Sequence, residues 1–465
     1  MTEPRSYTPA EIATLEAALS YAERWLEHRA WATRTPGVQA AIAFDGGLKW
    51  SGAFGVADLS TGAELTNDHL FRIASHSKTF TATAIFQLVE SGTVGLHDAA
   101  ELHVPELAGS PLAAVTVREL LGHSAGIIRD GLDGDYWQHI GAFPDEDAIV
   151  RILIDEGKVF EPNDRFKYTN IGYSLLGLIV GAASGVGYNA YVATEICERL
   201  GLSNTGPELD ESRASEYAAA HTGLHTSRER TTIPHVDTRA MASATGFYST
   251  ATDLVAYFGA HAFGDERLLT DSSKRLQQRQ EWQTDPTSTK EGYYGLGMIA
   301  EKVGDRSIIG HSGGYPGHIT RSLVDPATGL AVSVLTNSID GPASDLALGV
   351  LQLLDYALEK PLDSVDAAKF TGRFASMWGV MDIAQLGDRI VAIHPGAISP
   401  VAAVDTLVIA GPNSLRFESG SGYGSIGEDV FYEFDESGKV LSIKGGGGMT
   451  MWPIETYRAM EAGRE

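Results

Sequence analysis

The chain has 465 residues, 43% of them hydrophobic and 20% charged, with one cysteine and a formal net charge of −25. That length exceeds one ordinary core and predicts two domains, and no apolar run reaches the length of a bilayer, which argues against a membrane span. The acidity would repel nucleic-acid phosphates, and a lone Cys197 excludes an internal disulfide, in keeping with a reducing compartment.

The amino terminus lacks the basic start, apolar centre and small-residue cleavage site of a secretory signal, so a cytoplasmic protein is expected. From Pro9 to about Ala30, Ile12, Leu15, Leu19, Ala22 and Leu26 recur at helical spacing and predict an amphipathic helix. Val38–Phe44 and Trp50–Val56 follow as apolar strands joined by Asp45-Gly46-Gly47, the composition of a tight hairpin turn. Ser75-His76-Ser77-Lys78 then precedes Phe80, Ala84, Ile85, Leu88 and Val89, a buried helix closed by Gly92. On such a helix Lys78 lies one turn along from Ser75, on the same face. Burial and the positive helix end both disfavour the ammonium, which leaves a neutral amine able to take the serine proton. The plain alternative is a helix-start serine followed by a surface lysine.

Between about 79 and 235 the pattern is helical, with segments near Val117–Leu121, Asp147–Ile154, Ile171–Ala183 and Tyr188–Arg199. Tyr168-Thr169-Asn170 opens the third of these. A phenol there can relay a proton to a leaving group, while the Asn170 amide can donate to a substrate carbonyl and accept from Lys78. A core tyrosine followed by a helix cap is the structural alternative.

Strand patterns return at Tyr294–Ala300, Ser307–Gly310, His318–Val324 and Leu330–Asn337, and a helix is expected from about Ser344 to Leu358. His311-Ser312-Gly313-Gly314 follows the second of these strands and reads either as a tight strand-end turn or as a place where a substrate lies against the strand edge. In the latter case the Gly314 N–H can join that of Ser75 in an oxyanion hole. Pro361–Asp366 reads as a linker. Beyond it, short strand-like runs alternate with Gly, Pro, Asn and Asp turns, the signature of a small antiparallel barrel or sandwich.

The predicted fold class is α/β. An antiparallel sheet flanked by helices is built from both ends of residues 1–360, with an all-helical insertion at about 79–235, then the linker at 361–366 and an antiparallel β-barrel-like domain at 367–465.

In order, Ser75-x-x-Lys78, Tyr168-x-Asn170 and His311-x-Gly313 resemble the three motifs of the serine β-lactamase and penicillin-binding-protein superfamily. The likeness is closest to its class C-like branch of D-aminopeptidases, DD-peptidases and family VIII esterases. It covers roughly Val38 to Leu358 and implies a β-lactamase-like sheet; some members also carry a carboxy-terminal barrel, here expected to be lipocalin-like. It implies Ser75, Lys78 and Tyr168 as the catalytic groups, and Asn170, His311, Gly313 and Gly314 as substrate- or oxyanion-binding positions, with His311 supporting the Tyr168 hydroxyl. Where β-lactamases and DD-carboxypeptidases carry Lys-Thr-Gly, this chain has His311-Ser312-Gly313, a group largely neutral at pH 7 in place of a permanent cation. A free substrate carboxylate loses its expected partner. The expected activity is therefore hydrolysis of an amide or small peptide, D-residues included, through an acyl-enzyme at Ser75. A family VIII-type carboxylesterase, a β-lactamase and a non-catalytic ligand-binding protein are the alternatives.

Two stretches, Gly122–Gly126 and Gly310–Gly314, match the Gly-x-Ser-x-Gly nucleophile elbow, which needs a strand before it and a helix after it. The first follows a helix opened by Thr116 and Glu119, and the second runs into a Pro-Gly turn. His221, His225 and His235 lack metal-site spacing because Gly223 interrupts the helix it requires. No metal or other cofactor is implied. The expected partner is a small-molecule or peptide substrate, with no nucleic acid and no membrane, and a homo-oligomer is left open.

Overall fold

The computed structural model describes residues 3–288, 291–363, 365–422, 424–445 and 447–463. Strands β1 (Gly37–Phe44) and β2 (Gly47–Asp58) meet through Asp45 and Gly46, at φ 51° and 77°, the backbone the sequence predicts for this turn. β3 (Ala63–Glu64), β4 (Trp282–Gln283), β5 (Gly292–Tyr294), β6 (Ile299–Val303), β7 (Arg306–Tyr315), β8 (His318–Val324) and β9 (Ala331–Thr336) complete a nine-stranded sheet. Its order is β3-β2-β1-β9-β8-β7-β6-β5-β4, and each strand runs antiparallel to its neighbours. β1 and β9, in register from Val38 opposite Thr336 to Ala43 opposite Ala331, are buried along their whole length, so they read as mostly apolar runs, broken only by Gln39, Ser333 and Thr336, rather than alternating ones.

Four helices bear on the site and on the barrel: α1 (Pro9–Ala32), α2 (Ser77–Glu90), α3 (Asn170–Ser184) and α4 (Ala343–Leu358). α2 and α3 are the apolar centre of the insertion, where Phe80, Ile85 and Phe86 share one core with Leu175, Leu176, Ile179 and Phe247. The helix Asp271–Gln277 has no sequence-level forecast, because its Lys274 is buried and spent on the carbonyls of Ala262 and Asp265. No single helix among the described residues is long and apolar enough to cross a membrane.

Contacts divide the chain into two compact units: Arg34–Ala347 with the residues before Tyr7, and Tyr7–Thr33 with the chain from Leu348 onward. In the second unit β10 (Gly372–Ser376), β11 (Gly379–Leu386), β12 (Arg389–Ile393), β13 (Asp405–Gly411), β14 (Ser414–Ser419), β15 (Asp429–Phe434), β16 (Val440–Gly445) and β17 (Met449–Pro453) form a closed barrel. β17 returns to β10 with Phe374 opposite Pro453, and closure removes the exposed edges an open sheet would carry. Phe370, Phe374, Leu407, Leu415 and Tyr432 fill its interior. The sequence pattern places α1 and the Ser344–Leu358 helix with the hydrolase part, whereas the contacts group α1 and most of α4 with the barrel. Ser364 of the expected linker lies outside the described residues.

A charge network explains the grouping of α1. Asp382 on β11 accepts from Nε and Nη2 of Arg373, each at 2.8 Å, and from the Tyr21 hydroxyl of α1 at 3.1 Å, while Arg373 also donates to the Arg24 carbonyl at 2.9 Å. Asp382 is buried, so Asp382→Ala leaves a guanidinium without its counter-charge. The expected cost is about 3 kcal/mol, read as an earlier urea transition of the second unit, with Asp382→Asn costing less.

Candidate active site

Phe71–Arg72 pairs with Tyr248–Ser249 and delivers the chain into a tight turn, Ala74–His76, that runs straight into α2. Ala74 sits at φ 48°, a strained conformation for a residue with a Cβ, and its carbonyl is fixed by the Ser77 hydroxyl at 2.6 Å. The same hydroxyl accepts from Phe247 N at 3.1 Å, and Ile73 N donates to the Phe247 carbonyl at 2.9 Å. The turn is thus clamped on both sides, and Ser75 alone between Phe71 and Phe80 reaches the surface.

Lys78, the second residue of α2 and one turn on from Ser75, is fully buried. Its Nζ lies 2.7 Å from Asn170 Oδ1, 2.8 Å from the Ala244 carbonyl and 3.3 Å from Ser75 Oγ. Burial holds its pKa well below the ordinary lysine value, with Arg129 pushing the same way and Asp130 opposing. The amine also sits over the ring faces of Tyr168 and Tyr173, at 4.9 and 5.6 Å, which favour the cation. That attraction is worth at most about 2 kcal/mol, less than the several kcal/mol of burying an ion, so the neutral form prevails. A neutral amine has two N–H bonds and one lone pair. The two carbonyl-type oxygens occupy the N–H bonds, which leaves the lone pair for the Ser75 hydroxyl.

Tyr168 and Asn170 flank the start of α3. Thr169 between them is the cap, accepting from Gly172 N at 2.9 Å and donating to the Ile128 carbonyl at 2.7 Å, while Asn170 N donates to the Arg129 carbonyl at 2.8 Å. Asn170 Nδ2 donates to Asp130 Oδ1 at 2.6 Å, so Oδ1 of Asn170 is the atom left to face Lys78. Asp130 is in turn held by Trp137 Nε1 at 3.0 Å and Arg129 Nε at 3.1 Å, and its carbonyl by the Tyr136 hydroxyl at 2.7 Å. Burial raises the pKa of the Tyr168 hydroxyl above the usual phenol value, against the opposing pull of Ser75, so at neutral pH it is a phenol and not a phenolate.

The third motif differs from its sequence forecast first in its backbone: His311–Gly314 lies inside β7 and does not form a turn beyond it. Gly313 is needed for proximity, since a Cβ there would come 2.1 Å from the Ile73 carbonyl at the base of the serine turn. Tyr315 and His318 close a two-residue hairpin, so by alternation His311 and Gly313 bond to β8 while Ser312 and Gly314 turn their N–H groups the other way. β6 pairs with β7 only as far as Ile299 opposite Gly310. The Gly314 N–H therefore lies on a stretch of β7 edge that no strand covers among the described residues.

The His311 ring is committed. Its Nδ1 donates to the Ser312 carbonyl at 2.6 Å, and its Nε2 accepts from the Tyr294 hydroxyl at 3.0 Å. Burial pushes its pKa down to about 3, with Lys78 adding to the effect. The expectation that His311 supports the Tyr168 hydroxyl gives way to this partner, Tyr294. Sequence reasoning misses three contributors: Asp130, Tyr294 and the Ala244 carbonyl. Only Asp130, an acid four residues after Gly126 in a glycine-rich loop with Trp137, leaves any trace in the sequence.

The first rival elbow, Gly122–Gly126, has structural work. Ser124 is buried and donates to Asn163 Oδ1 at 3.1 Å, while the His123 ring packs at a tilt 4.3 Å from that of Tyr168 and its Nδ1 accepts from Thr169 N at 3.2 Å. His221 is tied to Leu59 N at 3.3 Å and the Asn337 carbonyl at 2.8 Å.

Penicillin-binding protein 4* of Bacillus subtilis (strain 168) is 29% identical over 302 residues, 61% of this chain, and the match spans 64% of that relative's length. The octameric penicillin-binding protein homologue from Pyrococcus abyssi matches 93% of this chain and 99% of its own with a TM-score of 0.64 at 22% identity. D-amino acid amidase from Ochrobactrum anthropi SV3 gives a TM-score of 0.62 at 26% identity, over 74% of this chain and 97% of its own. The Beta-lactamase family profile matches residues 22–356, a span that takes in every site residue read from the sequence, and the chain belongs to that family, within the superfamily of serine β-lactamases and penicillin-binding proteins.

Proposed function

We propose that the chain is a serine hydrolase that cleaves the amide bond of a small amino-acid amide or peptide, D-residues included, through an acyl-enzyme at Ser75. The observation that carries this reading is the buried Lys78 amine, with both N–H bonds engaged and its lone pair 3.3 Å from Ser75 Oγ. Lys78 takes the serine proton as Oγ attacks the carbonyl carbon; the N–H groups of Ser75 and Gly314 hold the oxyanion. Tyr168, a phenol at rest, gives its proton to the leaving group. Water, deprotonated by the same Lys78 and Tyr168 pair, then releases the acid.

His311 supports an amide over a free carboxylate as the group beyond the scissile bond. A neutral imidazole with both nitrogens occupied offers no charge to a terminal carboxylate, whereas an amide or anilide needs none. The amidase among the structural relatives leans the same way. A cytoplasmic address, expected from the sequence, fits turnover of small peptides better than wall cross-linking.

The test is intact-mass detection of an adduct at Ser75 across D-alanine p-nitroanilide, D-alanyl-D-alanine, p-nitrophenyl acetate and a cephalosporin. The anilide should turn over faster than the carboxylate-ended dipeptide. Ester turnover with inert amides favours the esterase reading, and no adduct with any member favours a binding protein.

Asp130 yields a separate prediction. Its charge raises the Lys78 pKa, so Asp130→Asn, which can still accept from Asn170, should move the acid limb of kcat/KM to lower pH by about one unit. Asp130→Ala also frees Asn170 and should lower kcat about 100-fold.

A further inference from the structure

We propose that one end of the carboxy-terminal barrel is a second binding site, separate from Ser75, for a small neutral molecule of about ten non-hydrogen atoms, mostly apolar and carrying one hydrogen-bonding group. An eight-stranded barrel encloses an interior that side chains either fill or leave open to one small ligand. Here Phe370, Phe374, Leu407 and Tyr432 fill part of it. At the end where the β10–β11, β12–β13, β14–β15 and β16–β17 connections lie, a cavity of about 200 Å³ remains. A cavity of about 150 Å³ is enough to take benzene, which sets the size of the occupant.

The walls state its chemistry. Met381, Phe417, Val430, Ile443 and Met451 make them apolar, and no Lys, Arg, Asp or Glu among the described residues lines the space, so neither an anion nor a cation is matched. His394 and Ser376 at the rim supply the hydrogen bond. Methionines adapt to ligand shape at little cost. Trp378, on the β10–β11 turn, also lines the cavity yet is 79% exposed, and its neighbour Met377 is 81% exposed. Large apolar side chains held in water beside an apolar concavity mark a surface built to be covered. A flat protein face does not reach the floor of a closed barrel, whereas a single substituted ring does.

The experiment is calorimetric titration of the full chain with 4-propylphenol and with propylbenzene, followed by the quenching of Trp378 fluorescence. One molecule of 4-propylphenol should bind per chain, also after Ser75 has been sulfonylated. Trp378→Ala, a change to an exposed residue, should weaken binding at least five-fold, and Met451→Trp, which fills the space, at least ten-fold. His394→Ala should remove most of the preference for the phenol over propylbenzene. No binding at millimolar phenol, loss of binding on sulfonylation of Ser75, or binding unchanged in Trp378→Ala and in folded Met451→Trp overturns the proposal. Concentration-dependent self-association that Trp378→Ala abolishes, with no phenol bound, would assign the rim to contacts between copies and overturn it equally.

Discussion

Ser75→Ala is expected to lower hydrolysis of any substrate in the panel by at least about four orders of magnitude while leaving the thermal midpoint nearly unchanged. Ser75 is the partly exposed residue of its turn, and the clamp on that turn runs through Ser77, Phe247 and Ile73, none of which the substitution touches. What is lost is the hydroxyl positioned to form a covalent bond beside the Lys78 lone pair. Residual rate from the Gly314 edge and substrate binding should remain small, because an oxyanion hole without a nucleophile leaves only water to attack. Steady-state assays at matched enzyme concentration decide the matter, and activity above about 1% of the parent would remove Ser75 from its role. Retained equilibrium binding of the substrate by the same variant separates loss of chemistry from loss of binding.

The second large effect belongs to Lys78. Lys78→Met keeps the volume and removes the amine, and acylation should fall by at least about a thousand-fold. Stability moves by opposing contributions: an ion-capable group leaves the core, which is favourable, while Asn170 Oδ1 and the Ala244 carbonyl each lose a donor, at about 1–3 kcal/mol apiece. The folded variant should therefore be somewhat less stable than the parent and far less active. Lys78→Arg should be as inactive, because a guanidinium stays protonated and has no lone pair. The sign of the pH dependence follows from the unprotonated amine being the active form. Activity rises with pH as Lys78 loses its proton, and burial lowers that pKa, so the midpoint of the acid limb must lie well below the ordinary lysine value. A limb centred near 10 in the kcat/KM profile would contradict a neutral resting amine.

Several elements are legible without coordinates because their causes are local. The hairpin turn at Asp45-Gly46, the cap at Thr116 and Glu119, and the helix opened by Asn170 depend on residues within four positions of one another. The barrel strands are readable for the same reason: turn residues punctuate short β-prone runs, and each strand pairs with its chain neighbour. Local pattern does not separate a barrel from a sandwich, since closure needs the pairing of Phe374 with Pro453 across almost the whole domain.

The amino-acid sequence by itself determined the motif residues and which helix or strand carries each, since residue type and short-range spacing contain that information. Tertiary structure alone decided their chemical states. Lys78 is neutral because burial in a core that excludes water disfavours the ammonium, and Asn170 and Ala244, 92 and 166 positions away, then occupy its two N–H bonds. His311 is uncharged because burial disfavours the imidazolium, and its Nε2 is filled because Tyr294 reaches it from another strand of the sheet. Protonation depends on distance and burial, and neither has a period along the chain.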